Sequence, residues 1–271
     1  MKLKIISICL LFISVFISCE KNPEVLSVNP EKQLLSKVLI ADKLYAEYLY
    51  NNESLVIEEK SKFDFVENNY NVKKQLVSSD YYWDKAMLSS DPSVLDAALT
   101  RSEWVNPDDA VKGLTIQYEY NAQDQLTKTT VSRPSISYSE FSEFSYDANG
   151  RVSRQTIYGE NKITGYNDYL YDEKSNLVKQ MLYYVTSTGE TELSTITQYE
   201  FDNKQNPFKL LSNGTKPGIN TNENNIIKEI YTIQFPIGQD MEQVQLTQNT
   251  YEYNTYGYPV KKNGTIKYAY N

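Results

Sequence analysis

Histidine is absent from the 271 residues, and the two cysteines, Cys9 and Cys19, both fall within the first 19. The usual zinc, copper and iron ligand sets therefore cannot be assembled, and neither can Ser-His-Asp or Cys-His nucleophiles. Carboxylates remain, but a glycosidase needs two of them converging across a sugar with split pKa values. The acidic pairs here, Glu58-Glu59 and Asp108-Asp109, are sequence neighbours. Neighbours on a strand point to opposite faces, so both pairs read as solvated charge. Scattered Asp and Asn residues match no EF-hand spacing and read as turn formers. The expectation is a protein that is not an enzyme and has no metal and no cofactor. The remaining chemistry is aromatic: 24 tyrosines offer rigid amphipathic rings that either stack on sugars and peptides or hold a sheet together.

Cys19 has a more specific chemistry. A basic start with Lys2 and Lys4 leads into an apolar run over residues 5–17, then Ser18-Cys19, then abruptly polar Glu20-Lys21-Asn22. This is a secretory leader, too short to span a bilayer comfortably. The small residue before a lone cysteine resembles the lipobox of bacterial lipoproteins, with Phe16 where Leu is usual. The resemblance implies cleavage after Ser18 and lipidation of Cys19, which anchors the chain to the outer membrane on its cell-surface or periplasmic side. The charged start after the cysteine resembles leaders common in Bacteroidetes, which implies surface display. The alternative is an ordinary secreted protein cut near Ser18, with a free thiol. Either way the folded part contains no disulfide. Residues 19–33, with Pro23 and Pro30, read as a tether. Losing Lys2 and Lys4 takes the net charge from -8 to -10, which argues against nucleic acid as a partner.

The elements that position the aromatics follow from an internal repeat. Tyr118-Glu119-Tyr120-Asn121-Ala122-Gln123-Asp124-Gln125-Leu126-Thr127-Lys128 aligns without gaps with the eleven residues from Phe144 to Arg154, and further copies begin at Tyr169, Tyr199 and Tyr251. The unit reads aromatic, any, aromatic, Asp or Asn, three turn residues, any, apolar or Pro, any, Lys or Arg. Alternating aromatics suit a half-buried strand. Asp147-Ala148-Asn149-Gly150 suits a type I turn whose glycine takes positive φ, so each unit is a β-hairpin. Simple pairing sets Asp147 against Arg151, Tyr146 against Val152 and Phe144 against Arg154, the last a cation–π pair worth about 0.5–1 kcal/mol. Tyr169 with Lys179, Tyr199 with Lys209 and Tyr251 with Lys261 are expected to repeat it. Weaker copies are expected at Tyr48-Leu49-Tyr50-Asn51 with a shorter turn to Leu55, and from Phe63 and Phe65 with a longer turn to Val72 and Lys74. Residues 224–228 look like the return half of another, and a degenerate unit is expected between Tyr199 and Tyr251.

This pattern resembles the YD repeats of Rhs-type proteins, in the short lipoprotein form of Bacteroidetes, and the likeness covers most of the mature chain. Glycine holds the turn only at Gly150 and Gly257. The resemblance implies hairpins stacked into one wall. They are too few to enclose a toxin as large Rhs proteins do, and no toxin module is expected after Asn271.

Three segments interrupt the hairpins. Asp91-Pro92-Ser93 has the cap and first-turn proline of a helix over residues 92–100, within an insert spanning 91–105. Residues 133–138 and the polar stretch 212–225 read as loops, and a functional loop and a tolerated surface insertion are both open for the latter. Most tyrosines occupy repeat positions and read as structural. Tyr81, Tyr82, Trp83 and Trp104 are off register and are the candidate contact surface. The expected fold is all-β: consecutive antiparallel hairpins over residues 34–271 in one large curled sheet, open or partly closed like a barrel. The expected function is a non-enzymatic binding or interaction module with a glycan or protein ligand. A ligand-free structural envelope protein and a carbohydrate hydrolase are the rivals.

Overall fold

The computed structural model describes residues 33–100, 110–134, 136–211, 216–235 and 242–271. The first strands are β1 (Leu35–Ile40), β2 (Lys43–Tyr50), β3 (Val56–Ser61), β4 (Asp64–Tyr70) and β5 (Leu76–Asp84). Helix α1 (Pro92–Thr100) precedes β6 (Ala110–Tyr120), β7 (Leu126–Arg133), β8 (Ile136–Tyr146), β9 (Val152–Gly159) and β10 (Lys162–Tyr171). Then come β11 (Leu177–Val185), β12 (Thr191–Phe201), β13 (Ile226–Gln234), β14 (Glu242–Gln248), β15 (Tyr251–Tyr253), β16 (Pro259–Lys262) and β17 (Ile266–Tyr270). The fold is all-β apart from α1 and short 3-10 turns. As its sequence suggests, α1 is capped by Asp91, whose Oδ1 accepts from Ser93 N at 2.9 Å.

Every ladder is antiparallel. Each strand from β1 to β13 pairs with its successor, and β1 also pairs with β17, which continues through β16 to β15. Among the described residues no ladder joins β14 to β15, so the curled sheet is open there. Its two edges meet at Asn249 and Thr250.

The repeat turns share one geometry. In the β8–β9 turn Gly150 N donates to Asp147 O at 3.0 Å and Asp147 N to Arg151 O at 2.8 Å. Asp147 Oδ1 accepts from both Asn149 N and Arg151 N at 2.9 Å. Asn51, Asn71, Asn121, Asp172 and Asn254 repeat this double cap. The requirement for an Asp or Asn is thus local: its side chain satisfies the two turn amides that the ladder leaves over. Gly150 (φ 76°) and Gly257 (φ 82°) hold the left-handed position as expected, and Ser54, Lys74, Asp124 and Ser175 adopt it elsewhere.

Four expectations need correction. A bulge after the turn shifts each register by one, so Tyr146 pairs with Val152 but Phe144 pairs with Gln155, and Arg154 stands opposite Ser145. Tyr169 likewise faces Gln180 rather than Lys179, and Tyr251 faces Lys262 rather than Lys261. The basic residue therefore sits on the opposite face from the repeat aromatics. There Arg154 stacks on Tyr166 at 4.2 Å and Lys128 on Phe141 at 4.6 Å. Secondly, the Asn51 turn has the ordinary length, with Tyr50 opposite Val56 rather than Leu55. Thirdly, the next unit is framed on Asn68, Tyr70 and Asn71, with Leu76 as its apolar partner, rather than on Phe63 and Phe65. Fourthly, the Tyr199 hairpin does not return at Pro207 or Lys209. Phe201 pairs with Ile226, and Asp202 N donates to Asn225 O at 3.1 Å. Residues 224–228 are this unit's own return half, delayed by an insertion, and Lys209 ion-pairs with Glu223. The doubled spacing to Tyr251 reflects that insertion, not a degenerate unit.

The insertion packs against the core instead of lying on the surface. Phe208 and Leu211 join Leu35, Val38, Val56 and Tyr268 in one apolar cluster. Asn222, 1% exposed, accepts from Leu177 N at 2.7 Å, beside a second cluster of Leu126, Phe144, Val152, Tyr169 and Leu177.

In five units the second aromatic is a tyrosine that does more than pack. Tyr50, Tyr70, Tyr120, Tyr146 and Tyr171 donate their hydroxyls to the carbonyls of Leu35, Val56, Leu76, Leu126 and Val152 at 2.6–2.9 Å. Each hydroxyl thereby staples its hairpin to the apolar residue of the preceding one. Tyr270 does the same to Pro259 at 2.5 Å. Tyr270 also pairs with Leu35, and Asn271 N donates to Leu34 O at 2.9 Å, reproducing the Tyr146–Val152 pair and the Asp147–Arg151 bond. The two chain ends thus make up one split hairpin of the array.

Candidate binding hollow

Repeat aromatics point to the concave face because they alternate along their strands. Following β6 and β8 upward from Tyr118 and Phe144 on that parity gives Ile116, Ser142 and Glu140. With Tyr81 from β5, Thr129 and Val131 from β7 and Gln155 from β9, these side chains enclose a hollow of about 340 Å³ beneath Lys216. That volume lies in the range of small-molecule sites, and the lining mixes aromatic and apolar side chains with Glu140, Ser142, Gln155 and Lys216.

The floor is a fixed hydrogen-bond chain. Gln155 Nε2 donates to Ser142 Oγ at 2.9 Å, while Gln155 Oε1 accepts from Tyr169 OH at 3.0 Å and Asn167 Nδ2 at 3.3 Å. Gln180 Nε2 completes it on Asn167 Oδ1 at 2.9 Å. Ser142, Gln155 and Asn167 are all buried, so each needs these partners. At the wall Tyr118 OH lies 3.4 Å from Ser79 Oγ, which donates to Asn68 Oδ1 at 2.7 Å; Asn68 Nδ2 reaches Glu59 at 3.3 Å. Arg133 and Glu140 form an ion pair of 2.9 Å at the rim. Burial pushes the Tyr81 phenol up to about 12 and raises that of Tyr118, so both remain neutral hydrogen-bonding groups at physiological pH. Burial also raises the Glu59 carboxyl, against the hydrogen bond from Asn68. Aromatic faces beside amides and hydroxyls suit a hydroxyl-rich ligand, with the Glu140–Arg133 pair and Lys216 adding charge at its edge.

The predicted aromatic trio is divided by the strand pleat. Tyr81 lines the hollow. Tyr82 points to the other face, where it stacks on Phe65 at 4.5 Å with rings 6° from parallel. Trp83 lies over Gly113, where a Cβ would come 2.3 Å from the indole. Cys19, Trp104 and the Asp108-Asp109 pair lie outside the described residues. Glu58 and Glu59 point to opposite faces as expected, Glu58 pairing with Lys60, but Glu59 is buried against Asn68 rather than solvated. The turn carboxylates are occupied by their own turn amides, and among the described residues no group of three acidic or thiol ligands converges on a metal position. Tyr118 and Phe144 were legible only as repeat aromatics. The signal for Ser142 and Glu140 was the continuation of the Phe144 parity, whereas Gln155 requires knowledge of the bulge.

No family model matches the sequence, and no curated protein does. Among solved structures, a porin-like protein from Bacteroides vulgatus ATCC 8482 aligns over 89% of this chain and 99% of its own, at 10% identity and a TM-score of 0.40. A porin-like protein from Bacteroides uniformis ATCC 8492 gives 88%, 96%, 12% and 0.40 for the same quantities. The complex TcdB2-TccC3 matches 84% of this chain at 14% identity and a TM-score of 0.31, and the chain spans only 11% of that protein's length. Likenesses this distant carry no conclusion about what this chain does.

Proposed function

We propose that the protein is a non-enzymatic binding module, exported and held at the outer membrane by a lipid on Cys19, that takes a glycan in its concave hollow. The observation that supports the reading most is the convergence of Tyr81, Tyr118 and Phe144 with the buried amide of Gln155 on one cavity of about 340 Å³. Rigid rings supply contact area at small entropic cost, and a hydrogen-bonded amide fixes orientation. The same proposal takes the hairpins as YD-type, Rhs-like repeats, on the strength of a turn geometry that recurs at each Asp or Asn of the unit. The anchor rests on the leader and on Ser18-Cys19.

The experiment is a screen of the purified protein against glycans and cell-envelope components, with incorporation of radioactive fatty acid measured in expressing cells. A saturable glycan ligand and labelling that disappears in Cys19→Ala are expected. Turnover of a glycan by the protein alone would refute the non-enzymatic reading, and absence of label would refute the anchor.

A further inference from the structure

The open seam leaves one strand in an unusual state. Among the described residues β14 pairs with β13 alone. Asn263 closes the β16–β17 turn against Thr250, with Thr250 N to Asn263 Oδ1 at 2.8 Å and Asn263 N to Thr250 O at 2.9 Å. Among the described residues no ladder joins β14 to the β16–β17 hairpin. All six residues from Gln243 to Gln248 are exposed, including Val244 at 56% and Leu246 at 59%. Edge strands are ordinarily guarded by lysine, proline, an inward charge or a bulge. Residues 243–248 carry no charge and no proline, and the β13–β14 ladder has no register shift.

The geometry points to a second copy of this chain as the occupant, pairing β14 antiparallel with its own counterpart about a two-fold axis at Gln245. A two-fold contact must be self-complementary, and this segment is. With Gln245 opposite itself, Val244 meets Leu246 of the other copy on one face, and Gln243 meets Thr247 on the other. No like charges oppose one another among these positions. The shared strand extends an apolar strip that Val244 and Leu246 already form with Thr232 and Ile230 of β13. Seven residues bury less than the ~1,000 Å² of a durable interface, so the association is weak and concentration-dependent.

The test is a thiol trap on the full chain. Gln245→Cys is compared with Ser187→Cys, which places the thiol in the exposed β11–β12 turn, and with the parent chain to subtract cross-linking through Cys9 or Cys19. Under mild oxidation Gln245→Cys is expected to form covalent dimer about tenfold faster than Ser187→Cys, because association raises the local thiol concentration. Leu246→Lys added to Gln245→Cys is expected to abolish that excess while leaving the β-sheet circular dichroism unchanged. Equal rates for the two thiols, or an excess that survives Leu246→Lys, overturns the proposal. So does an edge found to capture a different chain while Gln245→Cys does not cross-link to itself.

Discussion

Leu126→Ala and Tyr146→Phe separate the two devices that hold one hairpin to the next. Leu126 is 1% exposed and lies against Phe144, Val152, Tyr169 and Leu177, while its carbonyl accepts the Tyr146 hydroxyl at 2.7 Å. Truncation removes three side-chain carbons at about 0.8 kcal/mol each, and the cavity left among stiff rings adds to that, for a total of about 2–5 kcal/mol. Tyr146→Phe keeps the ring and deletes only the staple, a net loss of about 0.5–1.5 kcal/mol. Urea unfolding followed by tyrosine fluorescence reads both as shifts of midpoint at unchanged slope. The double variant should fall short of additivity, since the two groups touch. A Leu126→Ala cost below that of Tyr146→Phe would refute the claim that burial dominates and the hydroxyl trims.

Three further outcomes follow from particular groups. Burial holds the Tyr81, Tyr120 and Tyr268 phenols at about 12, against 10 when unfolded. Their raised folded values contribute stability that is complete below pH 10 and lost as pH rises towards 12, so urea midpoints should fall over that window; a flat profile would contradict the burial. Glu59 is also raised by burial, so its carboxylate opposes folding at neutral pH. Glu59→Gln should raise the midpoint at pH 7 and lose that advantage at pH values below 4, whereas a loss at pH 7 would show that the carboxylate is better solvated than its surroundings imply. Tyr270→Ala removes a ring and a staple from the split hairpin, for about 3 kcal/mol, and a calorimetric unfolding temperature equal to that of the parent would show that the chain ends are not held together.

The hairpin unit was legible because its causes are local. Alternating aromatics, a capping Asp or Asn and a left-handed fourth turn residue act within eleven consecutive positions. The bulge was not legible, since nothing in Ser153 or Arg154 announces that the ladder slips there, and that single residue decides that Gln155 rather than Arg154 faces Phe144. The staples link consecutive units, so a pattern read within one unit shows tyrosine without its partner. Residues 212–225 read as a polar loop and Pro207 and Lys209 as a return strand because asparagines supply much of the insertion's contact; Asn206 and Asn222 are buried and hydrogen-bonded through their side chains, and composition alone does not distinguish them from solvated residues. The pairing of β1 with β17 spans nearly the whole chain. Its front half, Tyr268-Ala269-Tyr270-Asn271, and its return half, Leu34-Leu35, lie at opposite ends of the described residues, so no contiguous pattern carries it.

The central claim, that ligand enters the concave hollow, is tested most directly by titrating the glycan identified in the screen into three variants. Tyr118→Ala alters the hollow, Gln155→Leu removes its buried amide, and Tyr158→Ala alters the aromatic pair that Tyr158 and Phe141 form at 4.4 Å on the convex face. Loss of a stacking ring or of a partnered polar group costs about 1–3 kcal/mol, some tenfold or more in Kd. The account predicts that weakening for Tyr118→Ala and Gln155→Leu with Tyr158→Ala unchanged. Undiminished affinity in both hollow variants, or loss confined to Tyr158→Ala, would contradict it.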